Sequence, residues 1–209
     1  MAKDEEIVEF ARSPRLMSRR AALAPLAGLA ALPLAGRRGR AESQDDPPAF
    51  STQRRQFVIS EPAMQLPAVM LTDREGRPAR LAATPGKVLL INIWATWCPA
   101  CRIDLPLLQR FHEAAGDRVK VAAVSTDTVD RQKIGAYLEK LGIRALPIYL
   151  DPQERLASSD RDRRVPLPLF GMPITYLVTP SGRIAGYVAG TADWLADDAQ
   201  KLIAYYGDA

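Results

Sequence analysis

The stretch WATWCPAC, residues 94–101, holds the only two cysteines of the 209-residue chain, two residues apart. It follows the aliphatic run KVLLINI, residues 87–93, which is typical of a strand buried on both faces of a parallel sheet. Pro99 suits a first helical turn, and apolar residues recur at helical spacing beyond it, at Ile103, Leu107, Leu108 and Phe111. We therefore expect Cys98 at a helix N-terminus, where backbone N–H groups favour the thiolate.

Three other uses of the cysteines fit less well. A structural zinc site needs four ligands, and the chain adds only one histidine, His112, to the pair. A purely structural disulfide across so short a loop would contribute little to stability, and two inert buried cysteines are the third possibility. A C-x-x-C at a strand-to-helix junction is instead the signature of a redox pair. We expect Cys98 and Cys101 to be the catalytic residues, with no bound metal and no cofactor beyond their own disulfide.

Composition indicates one globular domain. Hydrophobic residues make up 47% of the chain and charged residues 25%, which argues against disorder and against a polytopic membrane protein. The net charge is +4, but residues 1–41 carry eight basic and four acidic side chains, so the remainder is neutral. The basic excess therefore belongs to the N-terminus, and no nucleic-acid partner is expected.

Residues 1–41 are expected to be an export signal or a membrane anchor. Arginines precede the charge-free stretch at 21–36, and a small-residue cleavage candidate follows at 39–41. The pair Arg19-Arg20 fits a twin-arginine signal loosely, so ordinary secretion stays open. As a span the stretch would reach about 24 Å, less than a hydrocarbon core of about 30 Å. A disordered basic tail and a start at Met17 are further alternatives.

The rest of the chain predicts an α/β fold, a central mixed β-sheet with helices on both faces and an N-terminal β-hairpin. Residues 42–56 are polar and carry two prolines, as expected of a linker. We predict strands at 57–60, 66–72, 79–81, 87–93, 119–125, 146–150, 174–178 and 184–188, and helices after Cys98 and at 130–141, 152–159 and 194–206.

Residues 57–206 resemble the thioredoxin superfamily, and within it the TlpA and ResA group of exported thiol-disulfide oxidoreductases. The resemblance rests on WATWC at 94–98, GMP at 171–173 and GTADW at 190–194. It implies a thioredoxin-like domain over 57–209, with an extra αβ insert at 126–159. It also implies a cis bond before Pro173 and a helix-kinking role for Pro106, whereas sequence alone suggests an ordinary strand-entry proline at 173.

Two positions depart from the patterns of related proteins. Plain thioredoxins carry a buried acid where this chain has Asn92. The usual internal proton acceptor is therefore missing, as it is in the TlpA group generally, so another group or a water must accept the proton of Cys101. Family members commonly place proline directly before the second cysteine, whereas this chain has Pro99 followed by Ala100. A small change there can alter redox direction, because about 30 mV corresponds to 1.4 kcal/mol.

The resemblance implies an exported oxidoreductase of the periplasm or cell envelope, either soluble after signal cleavage or tethered to the inner membrane. Its partners would be disulfide-bearing apoproteins of respiratory cytochrome c or cytochrome-oxidase assembly, with a membrane thiol-transporting protein as reductant. Trp97, Met172 and Pro173 would form the substrate-binding platform, although Trp97 could instead be a core residue. Asp104 and His112 are interpreted as belonging to a solvated helix face.

Other functions stay open at this point. The pair could donate disulfides as an oxidant, since proline in the first intervening position also occurs in strongly oxidising members of the superfamily. A copper-handling chaperone would need a further ligand beside the thiols, and His112 lies too far along the helix. A peroxidase would share the fold, but the pattern it resembles has a lone cysteine after a threonine.

Overall fold

The computed structural model describes residues 46–51 and 56–208. The expected leader and most of the expected linker lie outside them. The described strands are β1 Val58–Gln65, β2 Val69–Asp73, β3 Pro78–Leu81, β4 Val88–Trp94, β5 Val119–Ser125, β6 Ile148–Leu150, β7 Ala157–Ser158, β8 Leu167–Pro168, β9 Ile174–Val178 and β10 Arg183–Ala189. The helices are α1 Cys101–Ala114, α2 Arg131–Lys140 and α3 Asp197–Gly207.

Eight strands form one mixed sheet in the order β1-β10-β9-β4-β5-β6-β2-β3. Strands β4, β5 and β6 run parallel and are joined through α1 and α2, while the remaining neighbours are antiparallel. The predicted mixed sheet and the extra helix and strand after β5 are therefore confirmed. Because β4 lies near the centre, the loop that follows it reaches the middle of the sheet's carboxyl edge.

All three helices pack on one face of the sheet. Along β4, Val88, Leu90 and Trp94 join the core that the helices cover, whereas Leu89, Ile91 and Ile93 join a second core without helical residues. That second face is covered by the segments around β7 and β8. The expectation of helices on both faces is wrong for the described residues, because α1 and α2 both connect neighbouring parallel strands in the same direction across the sheet.

Both predicted hairpins are confirmed. Strand β2 pairs with β3 and β9 pairs with β10, each antiparallel. Their turns end at Gly76 and Gly182, whose φ angles of +87° and +88° suit glycine because it has no Cβ. The Gly76 N–H donates to the Asp73 carbonyl, and the Gly182 N–H donates to the Thr179 carbonyl, both at 2.9 Å.

The short helix predicted at 152–159 does not form. The carboxylate of buried Asp151 accepts hydrogen bonds from the backbone N–H groups of Arg155 and Leu156 at 2.8 Å and of Ala157 at 3.3 Å. Those amides are therefore unavailable for helical pairing. Glu154 also has a positive φ of +51°, and the chain continues into β7, which pairs with β8.

The packed domain begins before the predicted boundary at 57. Phe50, inside the expected linker, is 3% exposed, and its ring packs at a tilt against Trp194 with 5.1 Å between the ring centroids. Among the element bounds that differ from the predicted ones, β1 extends past the Glu61-Pro62 pair to Gln65 and α3 begins at Asp197 instead of 194. Proline is tolerated in β1 because this is an edge strand. Among the described residues, no helix is long and apolar enough to cross a membrane.

Candidate redox site

A disulfide joins Cys98 and Cys101 at the carboxyl end of β4. The helix begins at Cys101, later than the expected start around Pro99, and Pro99 lies in the preceding turn. Ala100 precedes the first helical residue and its side chain makes no capping hydrogen bond. The backbone N–H of Cys101 instead donates to the Cys98 Sγ at 3.1 Å. Cys98 therefore places its sulfur over the open N-terminus of α1, where donors and the helix dipole favour a thiolate.

The two cysteines are not equally accessible. Cys98 is 4% exposed and Cys101 is fully buried. Pro106 lies inside α1 five residues after Cys101, and a proline there cannot donate to the carbonyl of Arg102. Both cysteines are buried in the disulfide form, and the small exposed fraction belongs to Cys98.

Asp104 lies one helical turn after Cys101 and is 1% exposed. Its Oδ1 accepts the backbone N–H of Ala192 at 3.0 Å, and its Oδ2 accepts the amide N–H of Asn92 at 2.8 Å. Burial raises the pKa of Asp104 to about 7, against the opposing effect of these two hydrogen bonds. The interpretation of Asp104 as part of a solvated helix face is therefore wrong.

Asn92 occupies the strand position below this carboxyl group and is fully buried. Its amide nitrogen also donates to the Thr175 Oγ1 at 2.9 Å, while its Oδ1 has no hydrogen-bond partner in the described part of the chain. A buried carboxyl group therefore lies next to the Asn92 side chain, three residues after Cys101 in α1. It comes from α1 instead of from the strand where plain thioredoxins carry it.

The three expected platform residues lie in two loops. Trp97 is 68% exposed, so it is not a core residue. Met172 is half-buried and packs against the core cluster that contains both cysteines. The Met172–Pro173 peptide bond is cis, as the resemblance implies, and the Pro173 carbonyl accepts the backbone N–H of Gly190 at 2.7 Å.

His112 lies in the last turn of α1 and is half-buried. It is eleven residues beyond Cys101, which corresponds to about 16 Å along a helix. Within residues 46–51 and 56–208, no group of three or more His, Cys, Asp or Glu side chains is arranged to hold a metal ion.

Two buried aspartates near the cysteines in the fold were missed or misread in the sequence. The first is Asp104, whose signal was its spacing of three residues from Cys101, because residues at that spacing share a helix face. The second is Asp127, which is 3% exposed and accepts hydrogen bonds from Thr96, two residues before Cys98. No sequence signal pairs Asp127 with Thr96, since they lie 31 residues apart.

Residues 62–186 match the model of the AhpC/TSA family. The chain belongs to the AhpC/TSA family. Its relatives include the thiol-disulfide oxidoreductase ResA of Geobacillus thermodenitrificans, 24% identical over 143 residues that cover 68% of this chain and 75% of the relative. They also include the thiol:disulfide interchange protein DsbE of Pseudomonas aeruginosa, 30% identical over 132 residues, covering 63% and 66%.

Among solved structures, a DsbF homologue from Corynebacterium diphtheriae has a TM-score of 0.56 and 20% sequence identity, covering 77% of this chain and 98% of its own. That likeness supports the thioredoxin-like fold, and the expected resemblance is confirmed. With a C-x-x-C disulfide in place and relatives of this kind, this AhpC/TSA-family protein is a thiol-disulfide oxidoreductase.

Proposed function

We propose that this protein is an exported reductant, which passes two electrons from the Cys98/Cys101 dithiol to disulfides in partner proteins. The observation that carries the proposal is the arrangement of the pair. Cys98 lies over the helix N-terminus, where its sulfur accepts a backbone N–H, while Cys101 is fully buried and precedes the buried Asp104 by three residues in α1. One cysteine is thus placed to attack and the other to resolve.

In the first step the Cys98 thiolate attacks one sulfur of the partner disulfide. A mixed disulfide forms, the partner's S–S bond breaks, and the second partner sulfur leaves as a thiolate that takes a proton from solvent. The N-terminus of α1 supports the attacking thiolate through its dipole and the Cys101 N–H.

In the second step Cys101 loses its proton and attacks the Cys98 sulfur. The Cys98–Cys101 disulfide forms, and the partner's remaining cysteine leaves with the bonding electron pair and is protonated, so the partner gains two electrons and two protons in all. We assign Asp104 as the acceptor for the Cys101 proton, because both residues are buried and lie three residues apart on one face of α1, and the raised pKa of about 7 of Asp104 suits transfer near neutral pH. Once protonated, Asp104 needs an acceptor, and rotation of the Asn92 amide would present the unpartnered Oδ1.

Trp97, Met172 and Pro173 form the platform for the partner. The exposed indole of Trp97 stands directly before Cys98, and Met172 belongs to the loop that packs on the cysteine core. A large exposed aromatic side chain beside the attacking sulfur fits an extended polypeptide segment around the partner's cysteine.

The proposed location is the periplasm or cell envelope, with residues 1–41 as the export signal or tether. The basic residues before a charge-free stretch support export. The proposed partners are apoproteins of respiratory cytochrome c or cytochrome-oxidase assembly, and the proposed electron donor is a membrane thiol-transporting protein. Fractionation of cells that express the full chain tests the location, since the intact chain in the cytoplasm would contradict it.

The partners are tested by trapping in cells with Cys101→Ser, which leaves the mixed disulfide unresolved. We expect covalent complexes that reducing agent dissolves, and the captured proteins should contain paired cysteines. The Cys98→Ser, Cys101→Ser double variant is the matched control and should capture none. Equal capture by both variants would contradict the assigned roles.

The direction is tested by equilibrating the purified protein with glutathione buffers of known ratio. A reductant should have a potential well below that of the glutathione couple. A potential well above it would instead identify a disulfide donor, the alternative that stays open because proline in the first intervening position, as at Pro99, also occurs in strongly oxidising members of the superfamily. Addition of Cu(I) to the reduced protein tests the chaperone alternative, because tight binding of copper by the dithiol would support it.

A further inference from the structure

The loop that carries Trp97 and Cys98 is tied to the loop after the neighbouring strand. Asp127 Oδ2 accepts the backbone N–H of Thr96 at 2.7 Å, and Asp127 Oδ1 accepts the Thr96 hydroxyl at 2.9 Å. The Thr126 N–H donates to the carbonyl of Trp94 at 3.1 Å, which closes the connection from the other side. The two parallel strands β4 and β5 are therefore joined beyond their last paired residues.

The Asp127 carboxylate is itself held in place. The hydroxyl of fully buried Ser125 donates to Asp127 Oδ2 at 2.8 Å, and the Asp127 N–H donates to the Ser125 Oγ at 3.2 Å. Three donors thus converge on a carboxylate that is 3% exposed. Hydrogen bonds to a charged group are stronger than neutral ones, so the carboxylate fixes Thr96 in both its backbone and its side chain.

The Asp127 contacts hold a loop in which the next residue, Trp97, is largely exposed. Trp97 is 68% exposed and gains little from packing, yet it lies directly between Thr96 and Cys98. The remaining backbone contact of the turn is the Cys98 N–H, which donates to the Ala95 carbonyl at 3.2 Å. The Asp127 contacts therefore hold the residue directly before the exposed Trp97.

We propose that Asp127 is a positioning residue for disulfide exchange, which acts through Thr96 to fix Trp97 and the Cys98 sulfur for docking of a protein disulfide. The proposal rests on the proposed function. It assigns Asp127 no contact with the reacting sulfurs. A protein partner must meet the platform and the sulfur together, so it depends on this loop more than a small disulfide does.

The test compares Thr96→Val with Thr96→Ser. Valine has nearly the shape of threonine but lacks the hydroxyl, whereas serine keeps it. The reduced variants are mixed with insulin, a protein disulfide, and with oxidised glutathione, a small one. Thr96→Val should slow insulin reduction by about tenfold, or 1.4 kcal/mol, with a nearly unchanged rate for oxidised glutathione. Thr96→Ser should restore most of the insulin rate, and Asp127→Asn should behave like Thr96→Val.

Thr179→Val is the matched control for stability. Thr179 is fully buried, and its hydroxyl pairs with the Ser181 hydroxyl at 2.8 Å. It follows β9, beside the start of β4, and so lies at the opposite end of that strand from the disulfide. The control should alter stability without changing the ratio of the insulin rate to the glutathione rate. If that ratio also stays constant in Thr96→Val, the proposal is wrong and the contact only stabilises the fold. If the unmodified protein reduces no insulin while its glutathione reaction is normal, the proposed function fails instead.

Discussion

Two buried aspartates have different surroundings: Asp127 is bonded to the loop before Cys98, and Asp104 lies in the helix that begins at Cys101. On the Cys98 side, Asp127 receives donors from the Thr96 backbone, the Thr96 hydroxyl and the Ser125 hydroxyl. On the Cys101 side, Asp104 receives two donors, and burial dominates and raises its pKa to about 7. A carboxylate that accepts three hydrogen bonds holds its donors in place, whereas a carboxyl group whose pKa is raised by burial can exchange a proton near neutral pH.

The largest expected effect separates the two cysteines. Either Cys98→Ser or Cys101→Ser should lower turnover of a protein disulfide by more than about 10³-fold, because exchange needs both sulfurs. Only Cys101→Ser should accumulate a mixed disulfide, detected by non-reducing electrophoresis and mass spectrometry. In the reduced protein, brief alkylation near neutral pH should label Cys98 first, and preferential labelling of Cys101 would reverse the proposed roles.

The second prediction concerns the stability of the oxidised protein, in which neither cysteine titrates. The pKa of Asp104 is raised from about 3.8 to about 7, so between these values the folded state holds a proton that the unfolded state has lost. The stabilisation of the folded state by this bound proton is therefore complete below about pH 3.8 and is lost as the pH rises through about 7. The loss is on the order of 4 kcal/mol, from 1.36 kcal/mol per pKa unit.

Denaturant unfolding at several pH values measures this loss. Asp104→Asn should flatten the fall between about pH 4 and 7. His112→Gln is the control, because it removes the only histidine in the chain. If the fall persists in Asp104→Asn and disappears in His112→Gln, the assignment to Asp104 is wrong.

The third prediction concerns the rate of the resolving step. Asp104→Asn should slow it by about 10²-fold at neutral pH, the usual contribution of a general base. In the unmodified protein this rate should rise with pH through about 7, where Asp104 ionises, and then level off. Rapid mixing of the reduced protein with a labelled disulfide peptide measures it.

Asp127→Asn is the matched comparison for the third prediction, since it alters the other buried carboxylate. It should slow formation of the mixed disulfide while the resolving step keeps its rise through pH 7. A resolving step that loses this pH dependence equally in both variants would show that the two aspartates do not have separate roles.

The sequence predicts the chemistry of the site better than its support. Cys98, Cys101 and the strand before them follow from local patterns, namely the spacing of the thiols and a continuous aliphatic run. The spacing of Asp104 from Cys101 places both on one helix face, but a charged residue on a helix is usually solvated, and only the closing segment around Ala192 shows that Asp104 is covered.

The errors of fold prediction have the same origin. The segment around 152–159 looks helical until the buried Asp151 takes its backbone amides. Phe50 looks like part of a linker until Trp194, 144 positions later in the chain, provides its packing partner. In each case one particular side-chain contact overrides the local preference: the Asp151 carboxylate takes amides only four to six residues away, whereas Trp194 reaches Phe50 from the far end of the chain.

The smallest expected effect belongs to Trp97, which completes the comparison on the Cys98 side. Its side chain is 68% exposed, so Trp97→Ala should leave the free energy of unfolding nearly unchanged. If the side chain is a docking anchor, its loss should weaken binding of a protein disulfide by about tenfold, as truncation of an interface aromatic commonly does. The change should appear as a raised KM for insulin, with an unchanged rate for oxidised glutathione and an unchanged pH profile of resolution. Trp97→Phe should recover most of the affinity because it retains an aromatic face. A loss of the same size with both disulfides would instead mean that Trp97 acts on the Cys98 sulfur itself, and the separation between docking and chemistry on this side of the site would not hold.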